Sequence, residues 1–407
     1  MQNLDQRNKK TEQIILLVLG TLIALGPFSI DMYLPAFSSI AEDFSVSKVE
    51  VNYSLTSYFV GIALGQLSYG PVMDRFGRKK PLLIGIFIYI LAAIGCYFST
   101  NLWMLVIFRF FLAIGAAAGM VAAKAVVRDV FPVDEVARAI SFLMLIMGGA
   151  PIIAPTVGGL VMTNFSWNTI FLLLAVFALL MFISVAKFLP ESGVPDKSVD
   201  LKLKDITYRY IDIFKNKVFL TFSMAGSLTI GAMFAYISSA NILFTSEFNM
   251  TEQEFGIFFG VNAAGLILGS QLNRLALKRL STFRVSIKIS VFLVGLAGIL
   301  LFNIFTWNNF YITVGILFFI LFLLGFQNPN TTALSLYPFE KEAGRASALV
   351  GSLKMMLGAV ASFVISKFEG KTIYVMAITI FVCLVFSAFL LFRFQAKEKR
   401  SLIQIGR

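Results

Sequence analysis

Long apolar runs alternate with short polar breaks along nearly the whole chain. Twelve of them occupy 14–36, 51–72, 81–98, 102–124, 138–163, 167–189, 219–246, 253–275, 283–303, 308–334, 343–366 and 371–393. A helix needs about 20 mostly apolar residues to cross the hydrocarbon of a bilayer. The pattern therefore predicts an all-α membrane protein with twelve transmembrane helices. The runs fall six and six around one long polar connection, 190–218, which divides the chain into an N-terminal bundle (1–189), a linker (190–218) and a C-terminal bundle (219–407). Part of the linker alternates apolar and charged residues as an amphipathic surface helix would. A faint repeat supports two related halves: Gly70, Asp74 and Arg75 follow span two at the spacing with which Gly269, Asn273 and Arg274 follow span eight.

The charges follow the same alternation. All but five of the 34 lysines and arginines lie in the tails or at the breaks after spans two, four, six, eight and ten. The exceptions are Lys48, Lys367 and Lys371 on the other side, and Arg109 and Lys354 within spans. Basic residues stay on the cytoplasmic side of a membrane, which predicts a multi-pass protein of a bacterial inner membrane with both termini cytoplasmic. Arg7, Lys9 and Lys10 precede an apolar run from Ile14 that continues without a small-residue cleavage site, so it is read as a retained first span rather than a signal peptide.

Composition excludes several other classes. The chain is 58% hydrophobic and 14% charged, against about 45–50% and about 25% in soluble domains. The net charge of +12 would suit nucleic acid, but its confinement to one set of loops reads as topology, and no nucleic-acid partner is expected. There is no histidine, and the two cysteines, Cys96 and Cys383, stand alone in apolar runs. No metal site, disulfide framework or acid–base catalytic cluster is expected. A channel is disfavoured by the lack of a repeated filter-like segment.

Four segments carry candidate mechanism. After span two, Gly70-Pro-Val-Met-Asp74-Arg75-Phe-Gly77-Arg78-Lys-Lys sets a carboxylate and several cations on a glycine turn. Arg109 lies in span four, where a charge costs at least about 2.5–3.5 kcal/mol unless partnered or hydrated. Span one, Gly26-Pro-Phe-Ser-Ile-Asp31-Met-Tyr33-Leu-Pro35, holds the one acidic side chain read as lying inside the membrane. Counted from the predicted span ends, Asp31 and Arg109 both lie about 6–11 Å below the outer rim at about 1.5 Å per residue. They are expected to pair, or to share substrate and proton in one cavity, a static packing salt bridge being the alternative. Span five, Ala150-Pro151-Ile-Ile-Ala154-Pro155-Thr-Val-Gly158-Gly159, combines broken helix hydrogen bonds with close backbone approach, suiting a hinge or ordinary small-residue packing.

These segments resemble the loop, span-four, span-one and span-five signatures of the major facilitator superfamily, and in particular its bicyclomycin-resistance and chloramphenicol-efflux branch of drug:proton antiporters. Ala150 and Ala154 depart from the family pattern, which has glycine there. The resemblance is weaker in the second half, where it runs through Phe234–Asn241 and Phe255–Ala263. It implies two pseudo-symmetric six-helix bundles, a cytoplasmic gate built from Gly70, Asp74, Arg75, Gly77 and Arg78 with Asp129, and proton coupling through Asp31 and Arg109. Asp74 would face a helix N-terminus of the second half. Asp31, Tyr33, Arg109, Tyr236, Asn241, Asn262 and Lys354 are the candidate pocket residues; Tyr236, Asn241 and Asn262 read equally as hydrogen-bonding glue between helices. Lys354, near the middle of span eleven, either faces the cavity or snorkels.

The function expected is export of small molecules, drugs or antibiotics, by alternating access. The proton gradient is the energy source, no cofactor is required, and the unit is a monomer. With one buried carboxylate and two buried cations, the cavity should suit neutral, zwitterionic or acidic substrates better than dicationic dyes. The alternatives are an exporter of an endogenous metabolite or siderophore and, with the span-five segment against it, an uptake symporter.

Overall fold

The structure, a computed structural model, describes residues 2–199, 201–339 and 343–397, with side chains from Thr11 onward except at 133, 134, 137, 203, 205 and 343. The predicted C-terminal tail beyond Lys397 and the side chains of Arg7, Lys9 and Lys10 lie outside them. Among the described residues the regular structure is all helical, with no strand.

The helices are α1 (Gln2–Asp31), α2 (Phe37–Asp43), α3 (Lys48–Phe76), α4 (Lys79–Tyr97), α5 (Leu102–Val130), α6 (Val133–Asn164), α7 (Asn168–Phe188), α8 (Leu203–Lys215), α9 (Lys217–Asn241), α10 (Glu252–Ala276), α11 (Thr282–Thr306), α12 (Phe310–Leu336), α13 (Ala343–Ile365) and α14 (Thr372–Lys397). Eleven segments are long and apolar enough to cross a bilayer. The predicted second span, α3, is as long as the others, at 29 residues. It falls below them in apolarity because it carries Asn52, Ser54 and Gln66, all buried inside the protein.

Helix ends follow the local chemistry. Ser47 and Thr251 cap α3 and α10 in reciprocal capping boxes with Glu50 and Glu254, which satisfies amides left free at a helix start. Asn101, Asn216, Ser281 and Asn309 cap α5, α9, α11 and α12 through their side chains.

Span one is longer than its hydrophobic run. The backbone breaks at Met32–Tyr33, passes through a 3-10 turn at Leu34–Ala36 and resumes as α2, so that Thr11–Asp43 forms one apolar crossing segment. Pro35 removes an amide and favours that break. The polar residues Ser38, Ser39, Glu42 and Asp43 hid the continuation. Asp31 therefore lies twelve residues before the end of that apolar segment, whereas the predicted run ended five residues after it.

Helix α1 packs on α5, α6 and α7, with α3, α4 and α5 beside them; α9, α11, α12 and α14 pack together, joined by α10 and α13. The two sets meet along α3 against α13 and α6 against α10. The start of α1 faces the α5–α6 turn. The ends of α12 and α14 share a core cluster with the starts of α9 and α11. The start of α1 and the end of α14 are thus on one side, called here the terminal face; the opposite side is the far face.

Amphipathic α8 is in the predicted linker. Its Ile213, Tyr210 and Phe214 pack with Phe219 of α9, Leu349 and Leu353 of α13, and Leu67 of α3. The Tyr210 hydroxyl donates to the Leu67 carbonyl at 3.0 Å.

Candidate substrate cavity and its gates

Between the two sets of helices is a cavity of about 210 Å³. Its wall is mostly apolar, with Met120, Met147, Phe234, Ile237, Phe259 and Leu321, and only a few polar groups converge on it: Asp31, Tyr58, Tyr236, Asn262 and Asn328. An apolar chamber with a few placed polar groups is the usual form of a small-molecule site. The methionines add adaptable, polarisable surface. Asn262 donates to the Tyr236 hydroxyl at 2.7 Å, and the Tyr236 ring stacks on Phe259 with centroids 5.8 Å apart, so the pair is a held piece of wall.

Of the predicted pocket residues, Asp31, Tyr236 and Asn262 line this chamber. Asp31 is 4% exposed and has no hydrogen bond or ion pair among the described residues. The expected pair with Arg109 is not made. Residues 29 and 31 point about 200° apart around a helix. Asp31 turns to the chamber, while Arg109 lies behind α1, fully buried. There Arg109 donates through Nη1 to the Ser29 carbonyl at 2.6 Å and sits over the rings of Tyr33 and Tyr58 at 4.3 and 4.6 Å. Desolvated cation–π contacts contribute about 2 kcal/mol or more. Among the described residues its Nε and Nη2 have no acceptor, so the charge is held there by ring faces and one carbonyl. Tyr33, whose hydroxyl pairs with Ser54 Oγ at 2.7 Å, belongs to this cage and not to the chamber wall.

Lys354 also stands behind the wall. Its ammonium donates to Asn328 Oδ1 at 2.5 Å and Thr332 Oγ1 at 2.6 Å. It thereby fixes Asn328, which lines the chamber. Asn241 is at the far-face closure: its amide donates to the Leu34 carbonyl at 3.1 Å and Glu252 Oε2 at 3.2 Å. Glu252 also accepts from Ser38 at 2.8 Å. Lys48 reaches Ser246 at 3.1 Å, and Gln253 reaches Thr163 at 3.3 Å. These bonds join the two helix sets across the far face.

On the terminal face, the predicted gate residues Gly70, Asp74, Arg78 and Asp129 line a second cavity of about 370 Å³. Arg78 bridges Asp74 at 2.7 Å and Asp129 at 3.0 Å. Burial works against its charge, yet these carboxylates outweigh that and hold the guanidinium pKa above its ordinary value. Asp74 shares the cavity with Gly344 and Arg345 at the start of α13. Arg75 turns away and donates to the Val199 carbonyl at 2.8 Å. Gly77 has φ +86°, and a Cβ there would strike the Glu191 carboxyl. That carboxylate accepts from the amides of Arg78 at 2.6 Å and Lys79 at 3.1 Å, at the N-terminus of α4, where negative charge is favoured.

The predicted hinge residues lie in α6. Pro151 lines the chamber, the Pro155 carbonyl backs onto Gly256, and Gly159 faces Glu252. A Cβ on Gly158 would come within 2.3 Å of the Met32 carbonyl oxygen, so α6 approaches the break in span one only because that residue is glycine.

Sequence reasoning missed Tyr58, Met120, Asn328, Glu191 and Glu252. Only Asn328 carried a signal, its place beside Pro329 inside an apolar run. Glu191 and Glu252 read as ordinary loop charges.

A helix bundle that crosses the membrane many times, encloses an apolar chamber at its centre and is bonded across one face defines a membrane carrier. The comparisons agree. The profile of the Major Facilitator Superfamily matches residues 18–363, and the chain belongs to that family. It is 34% identical over 360 residues to the uncharacterized MFS-type transporter YdgK of Bacillus subtilis, covering 85% of this chain and 86% of that protein. It is 31% identical to a bicyclomycin resistance protein homolog of Haemophilus influenzae, covering 93% and 95%, and 27% identical to multidrug resistance protein D of Escherichia coli, covering 84% and 85%. Its fold matches an inward-facing, occupied bacterial homolog of the lysosomal transporter Spinster with a TM-score of 0.73 at 14% identity, over 97% of this chain and 98% of that one. It also matches the partially occluded, inward-open E. coli xylose transporter XylE at 0.71 and 12%, over 94% and 97%. The protein is a transporter and not an enzyme.

Proposed function

We propose that this transporter exports small organic molecules, drugs or antibiotics among them, in exchange for protons. The observation that carries this reading is Asp31, a carboxyl group without a hydrogen-bond or ion-pair partner among the described residues, on the wall of a mostly apolar chamber. It takes up and releases the coupling proton, with Arg109 as the cation behind it against which its charge is balanced as the helices move. One such carboxyl gives one proton per cycle as the simplest stoichiometry. The relatives named for bicyclomycin and multidrug resistance support the direction and the cargo class.

Alternating access follows from two helix sets that meet at a central chamber. The far-face bonds of Glu252 and Asn241 close one side. The Arg78–Asp74–Asp129 cluster is the latch of the other, and α6 bends at Pro151 and Pro155. α3 is the twelfth span. The bias of lysine and arginine puts the terminal face in the cytoplasm of a bacterial inner membrane, and the chain works as a monomer.

Proton movement in inside-out vesicles tests the reading, with phenicols, bicyclomycin-like compounds, dyes and acidic siderophores as substrates. Substrate-dependent release of protons from the lumen, abolished by Asp31→Asn, is the expected result. A proton signal that survives Asp31→Asn in folded protein would overturn the role of Asp31; no signal with any of these compounds would overturn the coupling proposed for them.

A further inference from the structure

Lys354 is a cation inside its span that takes no part in the proposed proton exchange, and its bonds settle the orientation of a chamber residue. An ammonium has three donors and no acceptor, so the side-chain atom of Asn328 that it holds at 2.5 Å is the amide oxygen, Oδ1. Its second bond goes to Thr332 Oγ1 at 2.6 Å. Thr332 lies one turn further along α12 and spends its own proton on the Asn328 carbonyl at 2.7 Å. Lys354 on α13 therefore grips one turn of α12 by two acceptors. Asn328 cannot turn its amide over without losing a charge-assisted bond.

The polar atom of that amide left over is Nδ2. Among the described residues no hydrogen bond engages it, and it is not one of the unpartnered atoms sealed in the interior. The cavity that Asn328 lines is the chamber. Other polar groups of the wall are already occupied: the Tyr58 hydroxyl donates to the Gly26 carbonyl at 3.2 Å, and Asn262 donates to the Tyr236 hydroxyl at 2.7 Å. Asn328 thus offers the chamber two N–H bonds, with a positive charge one hydrogen bond behind them. Hydrogen bonds in series polarise one another where the dielectric is low, so the ammonium on Oδ1 strengthens whatever bond Nδ2 makes. Fastening α12 to α13 would by itself need neither a charge inside a span, which is costly there, nor a polar residue on the chamber wall.

Resting on the exporter reading above, we propose that the cargo is a neutral, mostly apolar or aromatic molecule with a carbonyl-type oxygen, which accepts a hydrogen bond from Asn328 Nδ2. Asn328 is the specificity-determining residue, and Lys354 is a positioning residue that acts through it from behind the wall. A neutral acceptor suits this place better than an ionised acid, because the same wall carries the Asp31 carboxyl group. An alkyl group set against Nδ2 would leave its N–H bonds buried without a partner, which turns one hydrogen bond into selectivity.

Equilibrium binding to the purified full chain in lipid nanodiscs tests this with two neutral fluorescent probes of nearly equal shape, 2-acetylanthracene and 2-isopropenylanthracene, which differ in having an oxygen or a methylene at the same place. Empty nanodiscs correct for partition into lipid. The ketone should bind about fivefold more tightly than the alkene. That ratio should fall to about twofold or less in Asn328→Leu and in Lys354→Met, and should be retained in Lys354→Arg, which keeps a donor for Oδ1. A lysine that only braced the helices would change both affinities together and leave the ratio alone. A ketone bound no more tightly than the alkene, no saturable binding of the ketone, or a ratio unchanged in either Asn328→Leu or Lys354→Met of monodisperse protein would overturn the proposal. No gradient is present, so this result is independent of the proton-release assay: coupled export can stand while carbonyl selectivity fails, and the reverse.

Discussion

Closure of the far face depends heavily on one carboxylate, and its removal has a calculable effect. Glu252 accepts from Ser38 beside the break in span one at 2.8 Å and from Asn241 at the end of α9 at 3.2 Å. Hydrogen bonds to a charged group contribute about 1.5–3 kcal/mol each; for a half-buried carboxylate with one long bond, about 2 kcal/mol for the pair is a fair discount. Asn241 keeps its bond to Leu34 in any case. Glu252→Ala should therefore shift the ratio of far-face-closed to far-face-open protein about thirtyfold toward open. The chain has only two cysteines, Cys96 and Cys383, so replacing them gives a clean background for a single reporter at Ile237 in the chamber wall. Labelling of Ile237→Cys by a membrane-impermeant maleimide added to spheroplasts reports far-face opening, with inside-out vesicles as the opposite-face control. The labelling rate should rise by about tenfold or more if closure dominates at rest. A change of less than about twofold, or a decrease, would refute the assignment of Glu252 to closure.

Other expectations follow from single contacts. Gly158→Leu forces α6 away from the Met32 carbonyl, at a cost of about 1–3 kcal/mol; melting in detergent should fall and transport should be lost, and parent-like behaviour in both would show that the close approach is dispensable. Arg109→Lys keeps the charge but cannot both reach the Ser29 carbonyl and cover two rings; substrate-dependent proton release should be lost, and a parent-like signal would show that charge alone suffices. Glu191→Gln removes the negative charge from the α4 amides, so the melting temperature should drop slightly at low salt, with the difference shrinking at high salt; a difference insensitive to salt would point to packing instead. Asp129→Asn weakens one of the two ion pairs of Arg78, and maleimide labelling of the Ile237→Cys reporter from the terminal face should rise.

The fold was largely legible because its elements are set by a one-dimensional property. Eleven of the predicted runs are apolar enough to stand out singly, and α3 was found although its Asn52, Ser54 and Gln66 lower its apolarity, since those polar groups are buried against protein instead of lipid. The Asp74, Arg78 and Asp129 cluster was expected because the resemblance of the loop after span two to a family signature implied it, and the ion pairs of Arg78 bring those residues together. What sequence could not supply was azimuth. Depth along a helix can be counted, but which neighbour a side chain meets is decided by packing; Asp31 and Arg109, assigned to one cavity from depth alone, lie on different faces of α1. Likewise Asn241 and Lys354 read as pocket residues because they are polar groups in apolar runs, whereas one joins the far-face closure and the other stands a side chain behind the chamber. Glu252 and Glu191 were invisible for the opposite reason: a carboxylate in a loop is ordinary until the structure shows what it accepts from.

The linker, finally, is much shorter in mechanical terms than its sequence span. Its first part is fastened to the end of α3: the Asp196 amide donates to the Asp74 carbonyl at 3.1 Å, and Arg75 holds the Val199 carbonyl at 2.8 Å. Its last part, α8, is joined to α9 through Asn216 alone, which also caps α9. Between Val199 and the start of α8 at Leu203 the chain has only four peptide steps, about 14 Å at full stretch. Those few residues are the leash between the two halves. On the proposed alternating-access reading, rocking that carries the end of α3 farther from the start of α8 than this segment can span must first release Arg75 from the Val199 carbonyl, a contact next door to the proposed Arg78 latch. Under that proposal the stroke is bounded by chain length, and the loop proposed to lock the gate also sets how far it can swing.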